Sequence, residues 1–222
     1  MIQLTIPTND FLDLIQRQVS SFFPFAKVDR DVVLSQLDRV FERMDICLRS
    51  RINGYMNDLS GGGQICIKFN HLHTSQYLIF LYYLSNTLWH NEFDELAGKI
   101  YYLNKIMNAV DIFYQVELPE TFGCEHPVGS VIGRAKIGKD FYFYQNCTVG
   151  STADSNNDYI HPVIGENVCM YANSAILGKC VIGNNVNVGS GTIIKNQDVP
   201  SNSTVFGISP NLVIKNKYTK YY

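Results

Sequence analysis

From Val131 to Val199 one aliphatic or aromatic residue returns every six positions: Val131, Ile137, Phe143 and Val149, then, after an excursion of about ten residues, Ile164, Met170, Ile176, Ile182, Val188 and Ile194. Neither the helical nor the strand period matches six. A chain that turns a corner every six residues, with three sides to a coil, places each of these residues inside a triangular parallel β-helix, and hexapeptide repeats are a sequence signature of that architecture. Gly138, Gly150, Gly165, Gly183 and Gly189 each follow an inward residue, where a corner is expected to need torsional freedom. Four residues after the inward position stand small or β-branched residues: Cys147, Ala153, Val168, Ser174, Cys180, Val186 and Thr192. An ordinary β-sandwich is the alternative, but it predicts a period of two and irregular turns.

The preceding part of the chain is helical in pattern. Thr8 or Asn9 can cap a helix that runs through Phe22 and stops at Pro24, and Asp29 or Asp31 can open the next. In that second segment Val33, Leu37, Val40, Phe41, Met44, Cys47 and Leu48 recur at helical spacing, opposite Asp38, Arg39, Glu42 and Arg43, giving one buried stripe. Asn57 to Gly63 reads as a loop; no Lys-Ser/Thr pair follows its glycines, so it is not a phosphate cradle. Thr74 to Trp89 is the most apolar helix, unbroken from Tyr77 through Leu84, far short of the ~20 residues that cross a bilayer. It is expected to be a central buried helix or a subunit contact. A further helix covers roughly Glu95 to Ala109. The expected organisation is an α+β chain: a helical domain over residues 1–110, a β-helix over 111–210 and a tail over 211–222.

A net charge of -2 over 222 residues argues against nucleic acid or a polybasic membrane partner. Met1 to Pro7 has no basic start, and Asn9, Asp10 and Asp13 break the first apolar run, so no secretory leader is expected. Six cysteines without metal-like spacing, with Cys147, Cys169 and Cys180 inside the repeat, fit a reducing cytoplasm.

Chemistry is sought where polar residues interrupt the repeat. Of five histidines, His126 precedes the first clean repeat and His161 ends the excursion Ser151 to Ile160; each is followed by proline. A lone histidine is by default a surface or satisfied core residue. An imidazole near neutral pH is nevertheless well suited to take a proton from an alcohol, and such a base needs a carboxylate on its other nitrogen. Asp111 is the candidate, since the stretch from it to His126 can bring it round one coil to lie beside that residue. Cys147 holds a small inward position and reads as packing rather than as a nucleophile.

These residues carry a resemblance. Asp111 to His126, continuing through Gly138, is similar to the start of the β-helix in serine O-acetyltransferases, hexapeptide enzymes that acetylate L-serine from acetyl-CoA. The similarity runs on through Tyr144-Gln145-Asn146-Cys147-Thr148-Val149-Gly150, His161-Pro162-Val163-Ile164-Gly165, Ile176-Leu177-Gly178 and Val188-Gly189-Ser190-Gly191-Thr192. It ends with Asp198-Val199-Pro200 and Gly207-Ile208-Ser209-Pro210, and reaches back to His73-Thr74-Ser75-Gln76. About half the chain is covered well.

The resemblance implies a left-handed β-helix, a homotrimer or dimer of trimers, and active sites between adjacent subunits. It implies that His126 is the general base, that Asp111 pairs with it, and that His161 faces it from across a subunit interface. Glu125 stands at the family's aspartate that holds the acceptor's amino group. Gly150, Ala172 and Ser190 fall where the pantetheine arm of CoA lies, and the excursion is expected to close over the site. The implied reaction is direct transfer: His126 deprotonates an acceptor hydroxyl, which attacks the thioester of acetyl-CoA, and a donor such as a backbone amide steadies the oxyanion. No covalent intermediate and no metal is implied.

Three departures concern the acceptor and the partner. Ile160 replaces the family's arginine for the serine carboxylate, and losing such a charge-assisted bond costs about 1.5 to 3 kcal/mol, roughly ten- to hundredfold in affinity. Asp58 is the nearest counterpart, across a gap, to a helical-domain aspartate that helps bind serine. Lys220-Tyr221-Tyr222 stands where family members carry the terminal isoleucine that docks into cysteine synthase, so that complex is not expected. The acceptor is therefore either serine-like or a sugar hydroxyl of surface-polysaccharide synthesis. A metal-dependent hydratase on this scaffold would need three histidines, and only His126 and His161 lie in the repeat. A purely structural trimer is the remaining alternative.

Overall fold

A computed structural model describes residues 2–56 and 67–217. The chain divides into two compact units, Met1–Asn108 and Ala109–Tyr222. Asn57 to Gly63, Asp58 among them, and Lys220 to Tyr222 lie outside the described residues.

Among its described residues the first unit holds four α-helices: α1 (Thr8–Ser20), α2 (Lys27–Arg49), α3 (Thr74–His90) and α4 (Asp94–Asn108). Their start signals differ in detail from expectation. Pro7, whose fixed torsion suits a helix entrance, precedes α1, so Thr8 is its first helical residue. Asp29 lies inside the first turn of α2 and reaches back, its Oδ2 accepting the Ala26 N–H at 2.8 Å. Both departures shift a helix boundary by less than a turn, which local capping chemistry rather than periodicity decides.

α3 is buried on all sides from Ser75 through Leu88, which settles it as the centre of this unit. A central helix must satisfy any polar side chain it carries. Arg43 of α2 does this, donating to Asn86 Oδ1 and Thr87 Oγ1, each at 2.8 Å, with its guanidinium 4.4 Å from the centre of the Tyr83 ring. Asn104 Nδ2 of α4 donates to the Leu78 carbonyl at 3.2 Å, and the Tyr77 phenol is bonded to Gln18.

The second unit is a three-sided parallel coil. Its first face stacks Lys136–Ile137, Val163–Ile164 and Val181–Ile182. The second stacks Phe122–Cys124, Phe141–Phe143, Cys169–Met170, Asn187–Val188 and the start of Ser203–Ile208. The third stacks Val131–Ile132, Thr148–Gly150, Ala175–Leu177 and Ile193–Lys195. The pairings of Val163 with Val181, Cys169 with Asn187 and Ala175 with Ile193, one from each face, all step forward by three hexapeptides, so three repeats make one coil. Phe143, Val149, Ile164, Met170, Ile176, Ile182, Val188 and Ile194 are all buried inside it.

The start of the repeat is not where periodicity put it. Val131 is 43% exposed, whereas Ile132 is 1% exposed and pairs with inward Val149. One corner of the first coil is a residue short, so extrapolating a strict six lands on the wrong neighbour. Ala153 is likewise exposed, because it belongs to the excursion. The expected tail also begins with structure: Asn211–Asn216 runs antiparallel to Ser203–Ile208 and covers the last coil. A coil with no successor exposes unpaired backbone, and a returning strand satisfies it.

The glycines serve a different purpose from the expected one. Gly138, Gly165 and Gly183 do not have left-handed torsions; a Cβ there would stand 2.6, 2.8 and 2.4 Å from backbone atoms of the next coil. The left-handed corners are held mostly by Asp140, Asn146, Asn167, Asn173, Asn185, Asn196 and Asn202, with Gly178 and Gly191 at two others. Asparagine tolerates that conformation, and here it also links coils: Asn167 Nδ2 donates to Asn185 Oδ1 at 3.0 Å and Asn185 Nδ2 to Asn202 Oδ1 at 2.8 Å.

Two alanine substitutions of glycine should therefore have opposite signs. Gly165→Ala forces two coils apart and should lower stability by about 1–3 kcal/mol. Gly98→Ala, inside α4 with nothing within 4 Å of the added carbon, should raise it by up to about 1 kcal/mol. Chemical denaturation of both variants beside the parent checks this; equal signs would refute the reading of the glycine row.

Candidate active site

His126 sits on a bulge. Cys124 pairs with Phe143 and Val131 with Thr148, yet the path from Cys124 to Val131 is two residues longer than the path from Phe143 to Thr148 that it stacks on. The first coil therefore carries a surplus pair at the corner between its second and third faces. The later coils pass this corner through Tyr144 to Asn146, Tyr171 to Asn173 and Gly189 to Gly191. The surplus is taken up by a left-handed torsion at His126 (φ 48°) and a turn in which Val128 N–H donates to the His126 carbonyl at 2.8 Å. Such a conformation is disfavoured for histidine and persists because neighbours fix it. Pro127 is buried, Gly129 N–H donates to the Ala109 carbonyl at 2.8 Å, and Ser130 Oγ donates to the Tyr144 carbonyl at 2.8 Å. The result is an imidazole pushed outward, 83% exposed in the single chain, with Nε2 4.0 Å from Glu125 Oε1.

Asp111 arrives at the same corner from the preceding turn of chain. Its N–H donates to the Ser130 carbonyl at 2.9 Å and it bridges in parallel to Val131, the residues that follow His126 round the bend. Ala172 and Ser190 lie on this edge too, one coil apart, with Gly191 N–H donating to the Ala172 carbonyl at 3.0 Å. His126, Ala172 and Ser190 thus share one edge of the prism.

His161, Ile160 and Gly150 are on a different edge, between the third and first faces. The excursion there is a β-hairpin, Thr152–Ala153 paired with Tyr159–Ile160, closed by Asp154, whose Oδ1 accepts the N–H groups of Asn156 at 2.8 Å and Asp158 at 3.0 Å. His161 is exposed at the hairpin's foot, and half-buried Ile160 pairs with Thr152. A cleft of about 300 Å³ opens on this edge, lined by Lys195, Asn196, Gln197, Ser209 and Pro210. Within one chain His126 and His161 are separated by a whole face, roughly 15 Å at a strand's rise per residue.

Periodicity did not single out Tyr144 and Tyr171, which stand beside Glu125 on successive coils. Their rings are parallel with centroids 5.4 Å apart. Burial first, and then the Glu125 charge, push the Tyr144 phenol well above its ordinary pKa. Burial likewise raises the Cys169 thiol to about 12, so it is a protonated packing group at neutral pH. Cys147 is fully buried with Sγ 3.3 Å from the Tyr171 carbonyl. Among the described residues no three His, Cys, Asp or Glu side chains gather where they could hold a metal ion, and no helix is long and apolar enough to cross a membrane.

Residues 161–196 match the family model described as bacterial transferase hexapeptide, six repeats. The chain is 32% identical over 136 residues to the serine acetyltransferase of Staphylococcus epidermidis, covering 61% of this chain and 63% of that one. It is 34% identical over 119 residues to that of Staphylococcus xylosus, covering 53% and 54%. It therefore spans less than two thirds of the length of these relatives. Among solved structures, the serine acetyltransferase of Neisseria gonorrhoeae superposes with a TM-score of 0.69 at 22% identity, over 93% of this chain and 79% of that one. A serine acetyltransferase in complex with CoA superposes with a TM-score of 0.60 at 17% identity, over 84% and 74%. At such identities the superpositions establish a shared fold. Taken with the repeat and the sequence relatives, they make the chain similar to serine acetyltransferases both in sequence and in fold.

Proposed function

We propose that the protein is an acetyl-CoA-dependent O-acetyltransferase that transfers the acetyl group directly to an acceptor hydroxyl, with His126 as general base. The observation that carries this reading is the two-residue bulge, which holds an imidazole outward, in a strained conformation, on the edge that also bears Ala172 and Ser190. A regular coil has no structural need for it. In the proposed reaction Asp111 orients the ring, His126 takes the hydroxyl proton, and the freed oxygen attacks the thioester carbon. Backbone donors steady the oxyanion, and CoA thiol leaves with the proton that His126 returns. Because His161 and Gly150 lie on the other edge, the complete site in this reading requires two copies of the chain, edge against edge, in a homotrimer of left-handed coils. Gly150 then lines the pantetheine groove from one side and Ala172 and Ser190 from the other, while Glu125 faces the acceptor. A protein of this kind would act in the cytoplasm.

The acceptor is serine or a close analogue in the first form of the proposal, in line with the relatives' printed activity. A sugar hydroxyl is the second form, favoured by Ile160, which offers no charge to a carboxylate. Thioester-release assays with a panel of hydroxyl acceptors separate the two. On the better acceptor, His126→Ala should lower kcat by about 10²–10⁴-fold while the exposed side chain's loss leaves the fold intact. Unchanged turnover would refute the assignment.

If sites form between subunits, mixing inactive His126→Ala with inactive His161→Ala chains, unfolded and reassembled together at equal amounts, should restore about a quarter of parental activity, the share of interfaces that receive one intact residue from each side. No restoration, with trimers formed, would place both histidines outside a shared site. Ile160→Arg should improve kcat/KM for carboxylate-bearing acceptors by roughly ten- to hundredfold if the first form is right in all but this residue.

A further inference from the structure

The Glu125 carboxylate stands at the mouth of the bulge on a long, rotatable side chain, next to a strained and exposed histidine. A group in that position loses rotamer entropy whenever it is used, so its contribution depends on whether something already holds it. The adjacent coil supplies a rigid candidate. Glu125 N–H donates to the Phe143 carbonyl at 3.2 Å and Tyr144 N–H to the Met170 carbonyl at 3.0 Å, so Glu125, Tyr144 and Tyr171 occupy equivalent positions on three successive coils.

Tyr144 is clamped. Its ring is parallel to that of Tyr171, 9° between planes, and edge-on to that of Tyr142 at 5.5 Å. Its carbonyl accepts from Ser130 Oγ at 2.8 Å, tying it to the far end of the His126 bulge. At the next equivalent position, Gly189, the Phe206 ring of the following coil crosses the space that a side chain would fill. An aromatic column thus ends on Glu125. The phenol neighbours that carboxylate across one coil step, and its pKa, raised first by burial and then by the Glu125 charge, keeps it a donor at neutral pH.

We propose that Tyr144 is a positioning residue: through its phenol it fixes one oxygen of Glu125 and leaves the other directed at the space beside His126 where the acceptor binds. This rests on the transferase reading given above. Tyr144 does not touch the reacting atoms. It determines how the acceptor is presented, which ties acceptor selection to the aromatic column rather than to the bulge alone.

Tyr144→Phe removes the hydroxyl and keeps the column. Kinetics on the preferred acceptor should show kcat/KM for that acceptor falling about tenfold while KM for acetyl-CoA stays within twofold. In a Glu125→Gln background the same change should have no further effect. Additive losses, or an equal rise in KM for acetyl-CoA, would overturn the proposal. Should the parent release no thioester with any acceptor, the transferase reading fails and the contact is judged separately. With 3-fluorotyrosine placed at position 144, the ¹⁹F resonance should move on Glu125→Gln and not on Glu120→Gln. A resonance indifferent to Glu125 would refute the contact whatever the activity.

Discussion

Everything in the second unit depends on one spacing, the distance between successive coils joined by parallel backbone hydrogen bonds. Strands in register lie ~4.8 Å apart, and every corner must respect that separation as strictly as every face. A side chain on a glycine such as Gly138, 2.6 Å from the backbone of the next coil, breaks it. The same spacing lets one asparagine amide reach the next, so Asn167, Asn185 and Asn202 form a bonded column where the chain must turn left-handed. Inside, each buried Val or Ile contributes roughly 1.5–3 kcal/mol, and stacking repeats these contributions coil after coil.

A scaffold this regular makes its departures informative. Two stand out among the described residues: the surplus pair around His126 and the hairpin whose foot is His161. Neither improves packing. The first puts a histidine into a disfavoured torsion, and the second interrupts one coil between Gly150 and Val163, where the following coil closes with no insertion between Leu177 and Val181. Costs of this kind persist where the surroundings hold them and where function uses them. That both departures carry a histidine, on different edges, is what supports the proposal that a second copy completes the site.

The helical unit follows other rules. Its central helix α3 is apolar nearly all round, which requires neighbours on every side, and α2 and α4 provide them. The polar stretch Ser85 to Thr87 is where Arg43 anchors α2 to it. Asn86 and Thr87 are therefore part of the packing, with hydrogen-bond partners supplied inside the unit.

The architecture of the β-helix and most of its interior are legible in the chain's period, because a six-residue repeat with small corner residues has few physical solutions. The sequence also offers His126 and His161 as candidates, since polar residues beside an apolar repeat stand out against it, and Asp111 as a carboxylate within one coil of His126. It misassigned Val131 and the role of the glycines, because a corner one residue short and a close approach between coils are properties of residues a full turn of the prism apart, invisible to local pattern. The two-residue bulge, the separation of the histidines onto two edges and the aromatic column ending on Glu125 were decided only by tertiary structure. Each is a matter of register between coils, and register is fixed by how the whole stack of hydrogen bonds closes rather than by any segment within it.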